Sequence, residues 1–330
     1  MKCIRCQHDS KYPDRKGRRC PNCKGSFAFE PREGDWISDF AFHRAIDQVS
    51  AEGQVRWGVE HLYYEIMRRR RWRSLGAFLM KLFFVDTRLV RNSAIDFAIY
   101  WDKWVKAHGM PDGVIERRKD PSPASPVESD IGDYSFDRAV ICDRARTVDV
   151  LLANNFHFEN NCAVLSIDGY PKGPFETVRQ MLKRNPKIKV YALHDATVAG
   201  CRLASRLARD PEWFGGSVPI VDVGLRPNHA KPFAGLLLRA PFDPVQDGDG
   251  ITPVERAWLA RYQLELAAIR PEQVLKRLFR AMNKQYNPNE TTEVADRPEV
   301  EGGDSCYVWT DSDSFGTDAA DSDGGGDSFG

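Results

Sequence analysis

The chain has 330 residues, 42% apolar and 28% charged, enough for one sizeable core with smaller accessory units. Its longest apolar run, Leu75 to Val85, is broken by Lys81 and falls well short of the ~20 residues a membrane span requires, so no membrane partner is expected. The formal net charge of zero is divided: residues 286–330 hold 12 acidic residues against one basic residue, Arg297, a net of −11, which leaves +11 on residues 1–285.

In chain order the first feature is four cysteines, Cys3, Cys6, Cys20 and Cys23, in two CxxC pairs. Each CxxC turn presents two thiolates, and two such turns complete a closed tetrahedral shell, so residues 1–34 are expected to form a ribbon around a structural zinc ion. His8 stands near enough to replace one sulfur. A closed shell leaves no position for a reacting water, so the cluster holds a fold and performs no chemistry. With no apolar stretch after a basic start, a reducing cytoplasm is the expected compartment, and Cys142, Cys162, Cys201 and Cys306 read as free thiols.

Residues 35–110 are expected to be helical. Val55, Val59, Leu62 and Ile66 recur at helical spacing and lead into Arg68, Arg69, Arg70, Arg71, Trp72 and Arg73; a further helix follows Ser93, with Ala94, Ala98, Trp101 and Val105 on one face. The arginine run, together with Arg18 and Arg19 of the ribbon, is the electrostatic footprint of phosphate binding and predicts a nucleic-acid partner. The competing reading is a solvated helix face on a domain that docks a protein partner.

Residues 111–135, rich in Pro and Ser, are expected to link this unit to an α/β domain over 136–285. There the pattern alternates: apolar runs Ala139 to Asp143, Ala163 to Asp168, Val190 to Asp195 and Val218 to Leu225, separated by amphipathic segments, predict a parallel sheet covered by helices on both faces. Helices are expected over Pro253 to Ile269 and from Pro271 to about Lys284. The Asp-, Ser- and Gly-rich residues 286–330 have the composition of a disordered acidic tail.

Three of the four strands end in a carboxylate at the edge where open parallel sheets bind ligands: Asp143, Asp168 and Asp195. Asp195 opens Asp195-Ala196-Thr197-Val198-Ala199-Gly200, and Gly169-Tyr170-Pro171 turns the chain out of the second strand. This combination resembles the TOPRIM domain, in the version carried by the topoisomerase VI A-subunit family. The resemblance covers residues 137–225 and implies a magnesium site for phosphodiester chemistry, with Asp143 at the position of the family's glutamate, Asp195 at its first aspartate, Thr197 at its second and Gly200 at its glycine. Asp143 is one methylene shorter than the family's residue and Thr197 lacks the second carboxylate, so the implied site is weakened. No winged-helix segment with a nucleophilic tyrosine is found, and a strand-breaking topoisomerase is not expected. The segment Asp143-Arg144-Ala145-Arg146-Thr147 also resembles the DxDxT of haloacid-dehalogenase-type phosphatases, but Ala145 lacks their acid–base carboxylate. The reading that follows is a nucleic-acid-associated zinc-ribbon protein with a divergent, magnesium-dependent nuclease-like domain, the alternative being a non-catalytic adaptor that binds a protein partner.

Overall fold

The computed structural model describes residues 1–72, 94–115, 136–233, 235–241 and 250–283. Arg73, the apolar run Leu75 to Val85, most of the expected linker and the acidic tail 286–330 lie outside the described residues. Among the described residues no helix is long and apolar enough to cross a membrane.

The ribbon is two copies of one turn. Gln7 N–H bonds the Cys3 carbonyl at 2.9 Å and Lys24 N–H bonds the Cys20 carbonyl at 3.0 Å. The pairings Lys2–Asp9 and Arg19–Ser26 flank the two turns in the same way. Gln7 and Lys24, each directly after a second cysteine, both adopt left-handed backbone, the reversal that lets a short turn aim two sulfurs inward.

Three helices follow: α1 (Asp39–Val49), α2 (Val59–Trp72) and α3 (Ala94–His108). Ser38 caps α1, accepting from the Ala41 N–H, and Phe42, Ala45, Ile46 and Val49 form its buried face. That face meets Phe29 of the ribbon and Trp104 of α3, with the Phe42 and Trp104 rings stacked at 4.7 Å. Asp39 is fully buried and ties three segments together: its carboxylate accepts from the backbone N–H groups of Ala28 (2.9 Å) and Phe29 (2.8 Å) and faces His108 Nε2 at 2.5 Å. Val55, expected within α2, precedes it instead, because Trp57 is engaged in a β-bridge with Val114 and the helix begins only at Val59. Trp57 there pairs with Gly113 and Ile115 through backbone bonds of 3.0 and 2.8 Å, so 111–115 fold back onto the helical unit.

The α/β unit contains β1 (Arg138–Cys142), α4 (Ala145–Ala153), α5 (Phe156–Glu159), β2 (Cys162–Ser166), α6 (Phe175–Arg184), β3 (Lys189–Leu193), α7 (Val198–Cys201), α8 (Leu203–Arg209), β4 (Ile220–Asp222), β5 (Leu238–Arg239), α9 (Pro253–Leu259), β6 (Tyr262–Gln263) and α10 (Pro271–Asn283). Strands β1 to β4 form one parallel sheet in the order β2-β1-β3-β4. Alternation along the strands sends Val140, Cys142, Val164, Tyr191 and Leu193 into one core, with α4, α5 and α10. Ala139, Ile141, Leu165, Val190 and Ala192 enter a second core with α6 and α8.

The helix expected over Pro253 to Ile269 stops at Leu259. Thr252 and Glu255 form a capping box at its start, but Tyr262–Gln263 pairs antiparallel with Leu238–Arg239, and Leu264 exchanges backbone bonds of 2.9 and 3.2 Å with Ala196. An Ala- and Leu-rich composition suits helix by propensity, and the long-range pairing overrides it. This detour carries Glu265 and Leu266 to the carboxyl edge of the sheet.

Candidate functional site

The four cysteines converge. Cys3 Sγ lies 3.6 Å from Cys23 Sγ and Cys6 Sγ 3.7 Å from Cys20 Sγ, and all four sulfurs lie within 4.8 Å of one another. A tetrahedron of sulfurs around zinc, with Zn–S near 2.3 Å, has edges of about 3.8 Å, so the cage is the right size for that ion and too open for a disulfide. His8 is exposed and is not a member of the group. The His8 backbone N–H holds the Cys6 thiol down to about 6. The Gly25 N–H pulls Cys23 down too, but burial and the three neighbouring sulfurs outweigh it and push that thiol up to about 11.

The second site lies where the sheet order reverses. From β1 the chain goes to β2 on one side and then across to β3 on the other, so the loops after β1 and β3 diverge and leave a crevice between them. Asp143 directly follows β1, and Asp195 follows β3 by two residues. The Asp195 backbone N–H donates to Asp143 Oδ2 at 2.9 Å, and Asp195 Oδ1 accepts from the Leu266 N–H at 2.7 Å. Asp143 Oδ1 is buried with no hydrogen-bond partner. Burial first, and the Asp195 charge second, raise the Asp143 carboxyl to about 7. Burial also raises Asp195, opposed by Arg144, whose Nε lies 2.5 Å from Asp195 Oδ2.

Asp168, the third strand-end aspartate, is exposed. Thr197 does not stand in for a carboxylate: its hydroxyl accepts from the Gly200 N–H at 3.0 Å and caps α7. Gly200 is required by close approach. A Cβ there would collide with the Asp195 carbonyl oxygen and sit 3.2 Å from Asp143 Oδ2. Gly200→Ala is therefore expected to cost about 1–3 kcal/mol through forced backbone movement. Thermal melting checks it, and an unchanged midpoint would contradict the packing.

Sequence reasoning missed Glu265, because the stretch holding it reads as helix. It is held by Tyr64, whose hydroxyl donates to Oε2 at 2.8 Å, and its Oε1 lies 3.9 Å from Arg144 Nη2. Asp143, Asp195 and Glu265 do not bring their oxygens together as the cysteines bring their sulfurs; among the described residues only the Cys group does so. His194, the residue before Asp195, is fully buried. Its Nδ1 faces the Asp195 carbonyl at 2.8 Å and its Nε2 faces Asp222 at 2.9 Å. Two acceptors on one ring favour the imidazolium, and although burial lowers the His194 pKa, Asp222 more than restores it. His194 is thus a positive support beneath the carboxylates.

The basic residues divide. Arg18 pairs with Glu33 at 2.6 Å, whereas Arg19 is exposed. Arg68 bonds Glu65 at 2.7 Å and the Ala268 carbonyl at 2.8 Å, and with Arg270 on Glu65 at 3.0 Å it fastens α2 to the sheet unit. Arg69, Arg70 and Arg71 continue the backbone of α2, and their side chains lie outside the described residues, as does Arg73. An open cleft lies between α2 and the carboxyl edge, lined among others by His61, Arg144, Arg146, Thr147, Asp195 and Glu265. No protein family, known protein or solved structure matches the chain.

Proposed function

We propose that this is a zinc-ribbon, nucleic-acid-associated protein whose α/β unit is a divergent TOPRIM-like domain acting on phosphodiesters with magnesium. The observation that carries this reading is the Asp143–Asp195 pair at the reversal of the sheet, with the buried Asp143 Oδ1 left without a partner. Hard oxygen donors of this kind suit magnesium, which is commonly held by one or two carboxylates with the remaining positions left to water and phosphate. A cation held by Asp143 and Asp195 would supply Lewis-acid polarisation of a phosphoryl oxygen. The chain's own contributions are Arg144 and Arg146 for phosphate charge, His194 to offset carboxylate repulsion, and the exposed Arg19 for backbone contact.

The experiment uses labelled single- and double-stranded DNA with Mg²⁺ or Mn²⁺ and three proteins: wild type, Asp195→Asn and Thr197→Asp. Cleavage by wild type is expected to disappear in Asp195→Asn. It is expected to rise in Thr197→Asp, because aspartate also caps helices and so adds the missing carboxylate without removing the cap. DNA affinity should fall steeply with salt. The second reading, a non-catalytic adaptor of cytoplasmic location, is favoured by the use of Thr197 as a cap and by the Arg144 guanidinium on Asp195. Equal or absent cleavage by wild type and Asp195→Asn would select it.

A further inference from the structure

The cleft holds an imbalance. Among the described residues, Glu60, Asp195 and Glu265 line it against two guanidiniums, Arg144 and Arg146, while His61 is buried and its pKa is lowered first by that burial, which keeps it neutral. A phosphate entering alone would add negative charge to a lining that already has it in excess. A divalent cation entering alone would meet Arg144, which is already 2.5 Å from Asp195 Oδ2. Each ligand by itself is opposed, and the two together are not.

Arg144 is placed to change partners. Its side chain is half exposed, it reaches Asp195 and, at 3.9 Å, Glu265, and it stands at the entry to α4, whose first turn has no side-chain cap. Arg146 is exposed, with no ion pair among the described residues, and Thr147 places a hydroxyl on the same turn. Asp195 is 2% exposed, and its Oδ2 accepts no hydrogen bond of good geometry, being met only through the ion pair with Arg144.

Resting on the magnesium reading above, we propose that the cleft takes a phosphate monoester and a divalent cation as a pair. Arg144 moves from Asp195 to the phosphate and so releases the carboxylate to the cation, with Arg146, Thr147 and the first turn of α4 completing the phosphate contacts. The substrate class this implies is a phosphorylated end of a nucleic acid or a nucleotide, both of which present a monoester that an arginine pair can hold in an open cleft. The coupling is reciprocal, so phosphate must tighten the cation by the factor by which the cation tightens phosphate.

Mn²⁺ binding to the full chain, followed by titration calorimetry after the zinc site is saturated, tests this with no activity assay. It is run with no anion, with inorganic phosphate, with a nucleoside monophosphate, and with 5′-phosphorylated or 5′-hydroxyl oligonucleotides. Wild type should bind Mn²⁺ about tenfold more tightly in the presence of a monoester, a coupling of about 1.4 kcal/mol. Arg144→Gln should bind Mn²⁺ tightly without any anion and show no coupling, and Arg146→Gln should lose phosphate affinity while keeping the weak anion-free Mn²⁺ site. A gain seen with the 5′-phosphorylated oligonucleotide but not the mononucleotide assigns a chain end, and the converse assigns a nucleotide. Mn²⁺ binding that is the same with and without monoester, or unchanged in Arg144→Gln, overturns the partner exchange while leaving the magnesium reading intact. No Mn²⁺ binding by wild type or Arg144→Gln under any condition overturns both.

Discussion

Removing zinc is expected to unfold the ribbon and to loosen the helical unit with it. The cage Cys3, Cys6, Cys20 and Cys23 is surrounded by little apolar mass, with Phe27 the main non-cysteine residue buried against it, so metal binding would supply most of that unit's folding energy. For small structural zinc sites this amounts to about 10–16 kcal/mol at neutral pH. The loss would spread, because Ala28 and Phe29 near the end of the ribbon donate to Asp39 and Phe29 packs against Phe42 and Trp104. One zinc per chain should therefore be measured by elemental analysis, and a strong chelator or Cys20→Ser should lower the melting midpoint and expose Trp104 fluorescence to quenchers. A chain that purifies without metal, or whose melting is indifferent to the chelator, would remove the zinc assignment. Substituting His8 should leave zinc content unchanged, since that ring is outside the cage.

The legible parts of this fold are those in which neighbours in sequence are neighbours in space. CxxC turns, apolar strand runs alternating with amphipathic segments, and a carboxylate after three of the four strands are all local patterns, and they suffice to place Asp143 and Asp195 at one edge. The residues that complete the site are not local to it. Glu265 arrives 70 positions after Asp195 through an antiparallel detour that an Ala- and Leu-rich stretch conceals, and Tyr64 reaches it from the helical unit. Nor does a basic run reveal which arginines are already engaged. Arg68 is committed to Glu65 and Ala268, and Arg18 to Glu33, whereas Arg144 and Arg146, which form no conspicuous basic cluster in the sequence, face the cleft. Thr197 gives the same lesson in the opposite direction: the residue standing where the resemblance implies an acid is, in space, a working helix cap.

Asp143→Asn is expected to make the protein more stable at pH 8 while removing cation binding at the sheet edge. The Asp143 pKa is raised in the folded chain from 3.8 to about 7, chiefly by burial. A raised carboxyl favours the folded state fully below the unfolded value and loses that contribution as pH rises through about 7. A rise of this size corresponds to an upper bound of roughly 4 kcal/mol lost by pH 8. Asparagine keeps an oxygen for the Asp195 N–H and removes the buried charge, so the variant should melt several degrees above wild type at pH 8, with the difference closing toward pH 4. His194, whose raised pKa also withdraws stability as pH rises, is present in both proteins and cancels to first order in the comparison. Melting curves of both proteins from pH 4 to 8.5, with and without Mn²⁺, decide the matter. Mn²⁺ should recover most of the wild-type deficit at pH 8 and do nothing for the variant. A variant less stable than wild type at pH 8 would mean that the Asp143 carboxylate serves the fold. The expected result means that the fold carries a buried charge it would be more stable without, which is the condition of a group kept for what it binds.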